Sequence, residues 1–347
     1  MNVRRPVLVA VLLGVVGAVV ATVLGFLTFG AQATAAPDHL PLAVSTSDES
    51  VRPAAQRIAS QGGDAVAWRV AEPSAARELL ADKEVYGILE LEAGASSVTP
   101  TIVVSGAVNP QGTQVARQVL TGAAQGLAGT LAQHGVQVAP PRVETVHEAS
   151  TGARTAPLAV SALLWVGGLV AALAFGMLVV RQGMRVGPLA RATLLASVSV
   201  LVTGAVVGLM ALWAPDLPLG ADVLGFVLLT AVAFAAVQGA LLRLLRLRAA
   251  AILGPLYLLA PAVAGQVPEM LDPAYRTLLW SWTPFRFSTE GLRSLLQGTP
   301  DAPDVRLGLL VLTGMAVVGL VVMLWPGRAR PEPEPSRAET REPVLAR

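Results

Sequence analysis

The sequence predicts a polytopic α-helical membrane protein with six transmembrane helices and an extracytoplasmic α/β domain inserted between helices 1 and 2. Two observations support this fold class. Hydrophobic residues make up 54% of the 347 residues and charged residues only 14%, a balance that excludes a soluble two-domain enzyme. The apolar residues are also concentrated in long uncharged runs, separated by one sizeable polar region at residues 38–154.

The first apolar run, residues 6–30, follows Arg4 and Arg5 and contains no charge. Its 25 residues, at about 1.5 Å each, reach roughly 37 Å, enough to cross a bilayer with some tilt. A secretory signal peptide is the alternative, because residues 33–35 (Ala-Thr-Ala) resemble a cleavage site. Signal h-regions are only about 7–15 residues long, so we expect residues 1–35 to form an uncleaved N-terminal transmembrane anchor.

Residues 36–155 are predicted to form one extracytoplasmic α/β domain. Apolar and polar residues alternate around Trp68, as in a half-buried strand, whereas Pro73 and Pro110 stand where first helical turns begin. Strands are predicted at residues 40–44, 65–70, 85–91, 101–104 and 143–146, and helices at residues 51–60, 73–81 and 110–134.

From residue 156 onward the sequence predicts a five-helix membrane domain that extends to residue 327. The spans are predicted at residues 156–180, 192–214, 223–242, 249–267 and 307–325. Pro255 and Pro261 interrupt the fourth of these five runs. Residues 328–347 are rich in proline and charge, so we expect a disordered cytoplasmic tail.

Charge placement predicts the orientation. Arginines follow one set of span ends: Arg4, Arg5, Arg181, Arg185, Arg191, Arg243, Arg246, Arg248, Arg328 and Arg330. Acids fill the opposite loops: Asp216, Asp222, Glu269, Asp272, Asp301 and Asp304. Because positive loops stay in the cytoplasm, we expect a multi-pass protein of the bacterial cell membrane, with both termini cytoplasmic and residues 31–155 outside.

Residues 268–298, between the last two spans, are predicted to contain a short amphipathic helix at the outer membrane surface. Pro284 suits a first helical turn and Gly298 suits a helix end. Polar residues recur along one face: Arg286, Glu290, Arg293 and Gln297. Trp280 and Trp282 precede the helix, and tryptophan settles at headgroup boundaries. An ordinary ordered loop is the alternative.

Several kinds of chemistry are not expected. The chain has no cysteine, and its three histidines lie far apart, so neither a thiolate nor a metal site is indicated. Lys83, the only lysine, lies outside any GxxxxGK[ST] pattern, which excludes a P-loop within this chain. With a net charge of +2, nucleic acid is not an expected partner. We expect no cofactor and no catalytic residues.

Three stretches resemble a known family. They are residues 40–44 (LPLAV), residues 84–89 (EVYGIL) and residues 282–298, with Trp-Thr-Pro-Phe, Thr-Glu-Gly-Leu-Arg and a closing glycine. Together with the topology, they resemble ABC-2-type membrane permeases, and most closely the YhgE/Pip-like branch (phage infection protein homologues). Two departures are Ser45–Asp48, where that branch usually has Val-Asn-x-Asp, and Glu290, which replaces an aspartate.

The resemblance implies a non-catalytic permease subunit of an ABC-type exporter, which moves an amphiphilic or lipid-like substrate outward while another subunit hydrolyses ATP. It implies a homodimer or heterodimer in contact with membrane lipid. It also makes the loop with Arg181, Arg185 and Arg191 a candidate docking site for the ATP-binding subunit, although these arginines can simply set topology. Gln238 and Gln266, polar residues within spans, are candidate pathway residues or helix contacts.

The alternative is a scaffold or accessory factor that does not transport. Its external domain would bind a cell-envelope, phage or secretion-system partner, and the spans would only hold that domain in place. An enzyme is the weakest interpretation, because the named motifs assemble no catalytic set of acids, histidine and nucleophile on one side of the membrane.

Overall fold

A computed structural model of the chain describes residues 4–94, 97–133, 135–184 and 186–325. The strands are β1 Leu40–Ser45, β2 Val66–Ala71, β3 Ile88–Ala93, β4 Ser97–Ser105, β5 Gln137–Val138 and β6 Arg142–Val146. The main helices are α1 Arg4–Gly25, α2 Arg52–Ser60, α3 Pro73–Ala81, α4 Pro110–Ala132, α5 Thr151–Gln182, α6 Pro188–Trp213, α7 Ala221–Leu245, α8 Ala250–Ala264, α9 Pro284–Leu296 and α10 Pro303–Leu324. The predicted disordered tail lies outside the described residues.

The strands form one sheet in the order β2-β1-β3-β4-β5, and β6 pairs with β4 on the same edge as β5. β1 pairs in parallel with β2 and β3, while β4 runs antiparallel to β3. The predicted order of strands and helices is confirmed. β3 begins at Ile88 rather than Val85, and the two-residue strand β5 was not predicted.

The core of this α/β domain lies between the sheet and helices α2, α3 and α4. Leu120 of α4 is fully buried against the sheet, where Gly87 leaves it room: a Cβ at Gly87 would lie 2.8 Å from Leu120 Cδ1. Two residues from far along the chain complete the same core: Val267 and Met270, which follow α8, are 0% and 7% exposed. The domain is therefore built from two separate parts of the chain.

The rest of the chain is a helical membrane region. Five stretches are long and apolar enough to cross a bilayer: Val9–Ala33, Thr151–Gln182, Pro188–Trp213, Ala221–Leu259 and Pro303–Leu324. These stretches support a membrane-embedded helical protein. Six spans were predicted, but α8 has only 15 residues, about 22 Å, against a hydrocarbon core of about 30 Å. The first part of α8 belongs to the same apolar stretch as α7, Ala221–Leu259. The count of six spans therefore stays a prediction.

Helices α7 and α8 run in opposite directions. Arg243, near the end of α7, donates hydrogen bonds to the last carbonyls of α10. The chain then turns at Arg246, whose φ is 53°. After α8, the carbonyl of Gly265 accepts a hydrogen bond of 3.3 Å from the side chain of Asn109 in the α/β domain. We call the end of the bundle beside this domain the domain-side end, and the opposite one the far end.

Helix α1 is exposed along most of its described length and meets the rest of the described chain near its C-terminal end. Its side chains described from residue 9 to residue 23 are exposed. Just beyond it, the Tyr275 hydroxyl donates to the carbonyl of Phe26 at 2.9 Å. The following linker is fixed to the segment after α8, since the amides of Ala36 and Asp38 donate to the carbonyls of Met270 and Glu269.

Candidate functional site at the junction between the α/β domain and helix α9

Helix α9 forms as predicted, over Pro284–Leu296, and is followed by Gly298 with φ 71°. Thr283 occupies the N-cap position in an extended conformation, but its hydroxyl donates back to the carbonyl of Leu279 and caps no amide. The helix therefore begins with the proline alone, which needs no amide partner.

The apolar side of α9 packs into the helical bundle. Phe285 forms an aromatic cluster with Trp165 of α5 and Phe234 of α7, with ring centroids 5.0 to 5.4 Å apart. Gly291 lets α7 approach closely, because a Cβ there would lie 2.5 Å from the Phe226 ring. α9 is thus held by α5, α7 and α10 and is not a loosely attached surface helix.

The polar stripe of α9 was expected at a membrane surface, but its part with Glu290 and Arg293 faces the α/β domain. Arg293 is only 5% exposed, while Arg286 and Glu290 are half-buried. A loop of the domain covers this face: Lys83, which follows α3 with φ 61°, donates to Ser294 Oγ at 2.5 Å and to the carboxylate of Asp304. We call this contact region the junction.

Tyr86 and Glu269 form a second connection within the junction. The Tyr86 hydroxyl donates to Glu269 Oε2 at 2.8 Å. This hydrogen bond links the loop before strand β3 to the segment after α8. Gly112 makes room for the ring, since a Cβ there would lie 2.4 Å from it. Burial, and then the neighbouring Glu269 carboxylate, raise the pKa of Tyr86 well above its usual value, so the hydroxyl remains a donor.

Cations and anions are balanced in the junction: Lys83, Arg286 and Arg293 stand against Glu269, Glu290 and Asp304. Burial first, and then Asp304, raise the pKa of Glu290 to about 7, although both arginines oppose this shift. Burial lowers the pKa of Arg293, and its Nε has no hydrogen-bond partner among the described residues.

Arg286 lies at the edge of the junction among aromatic rings. Its guanidinium carbon is 3.7 Å from the Trp280 ring centroid and 4.3 Å from that of Phe287, distances that give cation–π attraction. Trp282 beside it is 54% exposed. This edge of the junction therefore has the aromatic character expected at a headgroup boundary.

The arginines of the candidate docking loop are placed differently from one another. Arg181 is exposed in the last turn of α5. Arg191 instead donates to the carbonyl of Met323 at 3.2 Å, beside the hydrogen bonds that Arg243 gives to the end of α10. Arg185 lies outside the described residues. Arg191 thus caps a helix C-terminus, where a cation is favourable.

The two candidate glutamines lie in different places. Gln238 is fully buried between α5 and α7, and its amide donates to the carbonyl of Trp165 at 2.8 Å. Gln266 follows α8, and its buried Oε1 has no partner among the described residues. Gln238 therefore makes a contact between helices, in agreement with the simpler of its two interpretations.

Sequence reasoning missed Lys83, Asp304 and Tyr86 as junction residues. The available signal was that Lys83 is the only lysine in an arginine-rich chain. Because Lys83 does not belong to a P-loop pattern, its presence had no explanation from the sequence. Among the described residues, no cluster of three or more histidine or acidic side chains could hold a metal ion. The junction thus joins the α/β domain to α9, α10 and the segment after α8 through charged and hydrogen-bonded side chains.

Comparison of the chain with family models, with curated proteins and with solved structures gave no match. The family resemblance consequently rests on the three motifs and the topology. Two of these motifs, around Tyr86 and around Glu290, lie on the two sides of the junction.

Proposed function

We propose that the chain is the membrane-spanning permease subunit of an ABC-type exporter, which moves an amphiphilic or lipid-like substrate outward while a separate subunit hydrolyses ATP. The observation that supports this most is the junction. Lys83 bonds to Ser294 of α9 and to Asp304 of α10, so a rearrangement of these helices would move the α/β domain with it.

The proposal includes six spans, both termini in the cytoplasm and residues 31–155 outside. The count of six spans is supported by the direction of α8, which returns toward the α/β domain after the turn at Arg246. Arg191 and Arg243 lie at the far end, whereas Asp304 lies at the domain-side end. This placement follows the positive-inside rule if the far end is cytoplasmic.

A partner must supply ATP hydrolysis, because the sequence has no P-loop. We assign the contact with that subunit to Arg181, since its side chain is exposed at the far end and unpaired among the described residues, while Arg191 is engaged with α10. The exposed apolar surface of α1 is available to membrane lipid or to a second permease subunit, homologous or identical.

A scaffold or accessory function is the second candidate. A groove of about 470 Å³ lies between α2, β2 and α4, with Trp68 and Arg57 on its walls and Gly122 leaving its floor open. A segment of a cell-envelope, phage or secretion-system partner would fit such a groove without any transport.

Affinity purification of the tagged full chain from mild detergent, with mass spectrometry of its partners, tests the proposal. We expect a P-loop ATPase with the wild type and with Arg142→Gln, an exposed arginine of β6, and its loss with Arg181→Gln. Recovery of envelope-associated partners alone, with no ATPase in several detergents, would contradict the transport proposal and favour the scaffold.

A further inference from the structure

A second cavity, of about 620 Å³, lies where the α/β domain meets the first turn of α5. The ends of β4 and β6 and the first turns of α4 form its other walls. It shares no lining residue with the junction or with the groove beside β2. The transport function proposed above does not involve this cavity.

At Gly106, the backbone itself forms part of the cavity wall. A Cβ at this position would lie 2.1 Å from the carbonyl oxygen of His147, so any side chain would force the end of β6 away. Beside it, Thr113 donates to the carbonyl of Ser105 at 3.4 Å. The wall is thus polar and is built from packed backbone.

Two unpaired arginines line the cavity from different elements: Arg117 from α4 and Arg154 from α5. Among the residues that the structure describes, neither side chain makes an ion pair or a hydrogen bond. Glu148 also lines the cavity, but it lies beyond ion-pair distance of both. The lining therefore carries one uncompensated positive charge.

Other arginines of the same domain contrast with these two. Arg52, Arg69 and Arg77 are each paired with glutamates. Arg57 and Arg142 also make no ion pair among the described residues, but here two such arginines line one cavity. Arginine is also the side chain whose planar donors match the oxygens of a phosphate best.

Neighbouring residues indicate the depth of the cavity in the membrane. A Cβ at Gly152, in the first turn of α5, would lie 2.7 Å from Ala214 Cβ, so this turn is level with the end of α6. Trp213, the last residue of α6, is 77% exposed, and tryptophan prefers the headgroup level of a bilayer. Arg154 lies two residues further along α5, about 3 Å deeper.

We propose that this cavity binds the phosphate group of a membrane-lipid headgroup, with Arg117 and Arg154 donating to the phosphate oxygens. Glu148 faces the remainder of the headgroup and can accept a hydrogen bond from a glycerol hydroxyl. The site does not depend on transport: it needs only that the base of the α/β domain touches a membrane surface. A lipid bound there would hold the domain against the bilayer.

Native mass spectrometry of the full chain in mild detergent, titrated with phosphatidylglycerol, tests this site. We expect the double variant Arg117→Gln/Arg154→Gln to bind the lipid about tenfold or more weakly than the wild type, since two charge-assisted contacts are lost. Arg142→Gln, exposed on the same domain but outside the cavity, is the matched control. Arg117→Lys/Arg154→Lys keeps the charge and should recover part of the affinity.

Both arginines are exposed, so these variants should unfold at the wild-type temperature, and that measurement separates lost binding from lost folding. Unchanged lipid binding by the double glutamine variant would overturn the proposal. Glycerol 3-phosphate and inorganic phosphate serve as soluble competitors. If either displaces the lipid at the same concentration as the lipid itself binds, the site belongs to a soluble phosphate compound and the headgroup assignment is overturned.

Discussion

Lys83 and Asp304 form an ion pair across 221 positions of the sequence. The first lies in a loop of the α/β domain, and the second in the first turn of α10. Their side chains are only 13% and 24% exposed, so the pair is shielded from water and directly ties the domain to the membrane helices.

Replacing Lys83 by methionine should weaken the contact between the domain and the helices. Removing one partner of a buried pair costs about 3–5 kcal/mol, and partial exposure here reduces this to roughly 1–3 kcal/mol. We expect a lower midpoint of thermal unfolding in detergent for Lys83→Met, and partial recovery in Lys83→Met/Asp304→Asn. Arg52→Met removes the exposed Arg52–Glu72 pair and should change stability by less than about 0.5 kcal/mol. An equal effect of both single variants would contradict this role of Lys83.

The stability of the junction should fall as pH rises from 5 to 8. Glu290 has a pKa of about 7 in the folded chain, above its ordinary 4.5, so its ionised form is disfavoured by folding. The resulting loss of stability begins above pH 4.5 and is complete above pH 7. Glu290→Gln should flatten this dependence in unfolding midpoints measured across the pH range. A variant with the wild-type pH profile would assign the dependence to another group.

The arginines at the far end should differ in their effects on stability. Arg191→Gln and Arg243→Gln remove hydrogen bonds to the last carbonyls of α10, each worth about 1–2 kcal/mol for a charged donor at a helix C-terminus. Arg181→Gln removes an exposed charge and should leave the unfolding midpoint unchanged. If Arg181→Gln also destabilises the protein, its loss of a partner could not be assigned to docking.

Two glycines of α4 should respond oppositely to the same substitution. Gly112→Ala would place a Cβ 2.4 Å from the Tyr86 ring, and such overpacking costs about 1–3 kcal/mol. Gly122 has open space around the same position, so Gly122→Ala should stabilise the helix by about 0.5–1 kcal/mol. Thermal unfolding of the two variants gives the comparison. An unchanged or raised midpoint for Gly112→Ala would contradict the described packing of the Tyr86 ring.

Periodicity predicted most of the elements because it reports which face of a helix or strand is buried. It placed α9 correctly, including the apolar face with Phe285. It could not tell what covers the polar face, since Lys83 reaches Ser294 across 211 positions. Arg286, Glu290 and Arg293 were therefore expected at a membrane surface, and the position of Glu290 and Arg293 beside Lys83 and Tyr86 of the α/β domain had no local signal.

Contacts with distant parts of the chain also explain why the boundary of β4 and the role of Arg191 differ from the prediction. Pro100 lies just before the predicted strand at residues 101–104, yet it belongs to β4 opposite Leu91. On its other side it lies in the gap between the pairings with β5 and β6, where a missing amide donor breaks no ladder. Arg191 was read together with Arg181 as part of one loop. Only the position of α10 shows that Arg191 caps a helix while Arg181 does not.

Val267 and Met270 have a consequence for biosynthesis. They fill the core of a domain whose sheet ends at Val146, so this core stays incomplete while the ribosome makes the next three helices and α8. During that interval the nascent domain exposes an unfilled apolar site on its membrane-facing side. A chain released early, after residue 155, would lack both residues and would keep that site open. Completion of the domain core thus requires synthesis of the chain through α8 and as far as Met270.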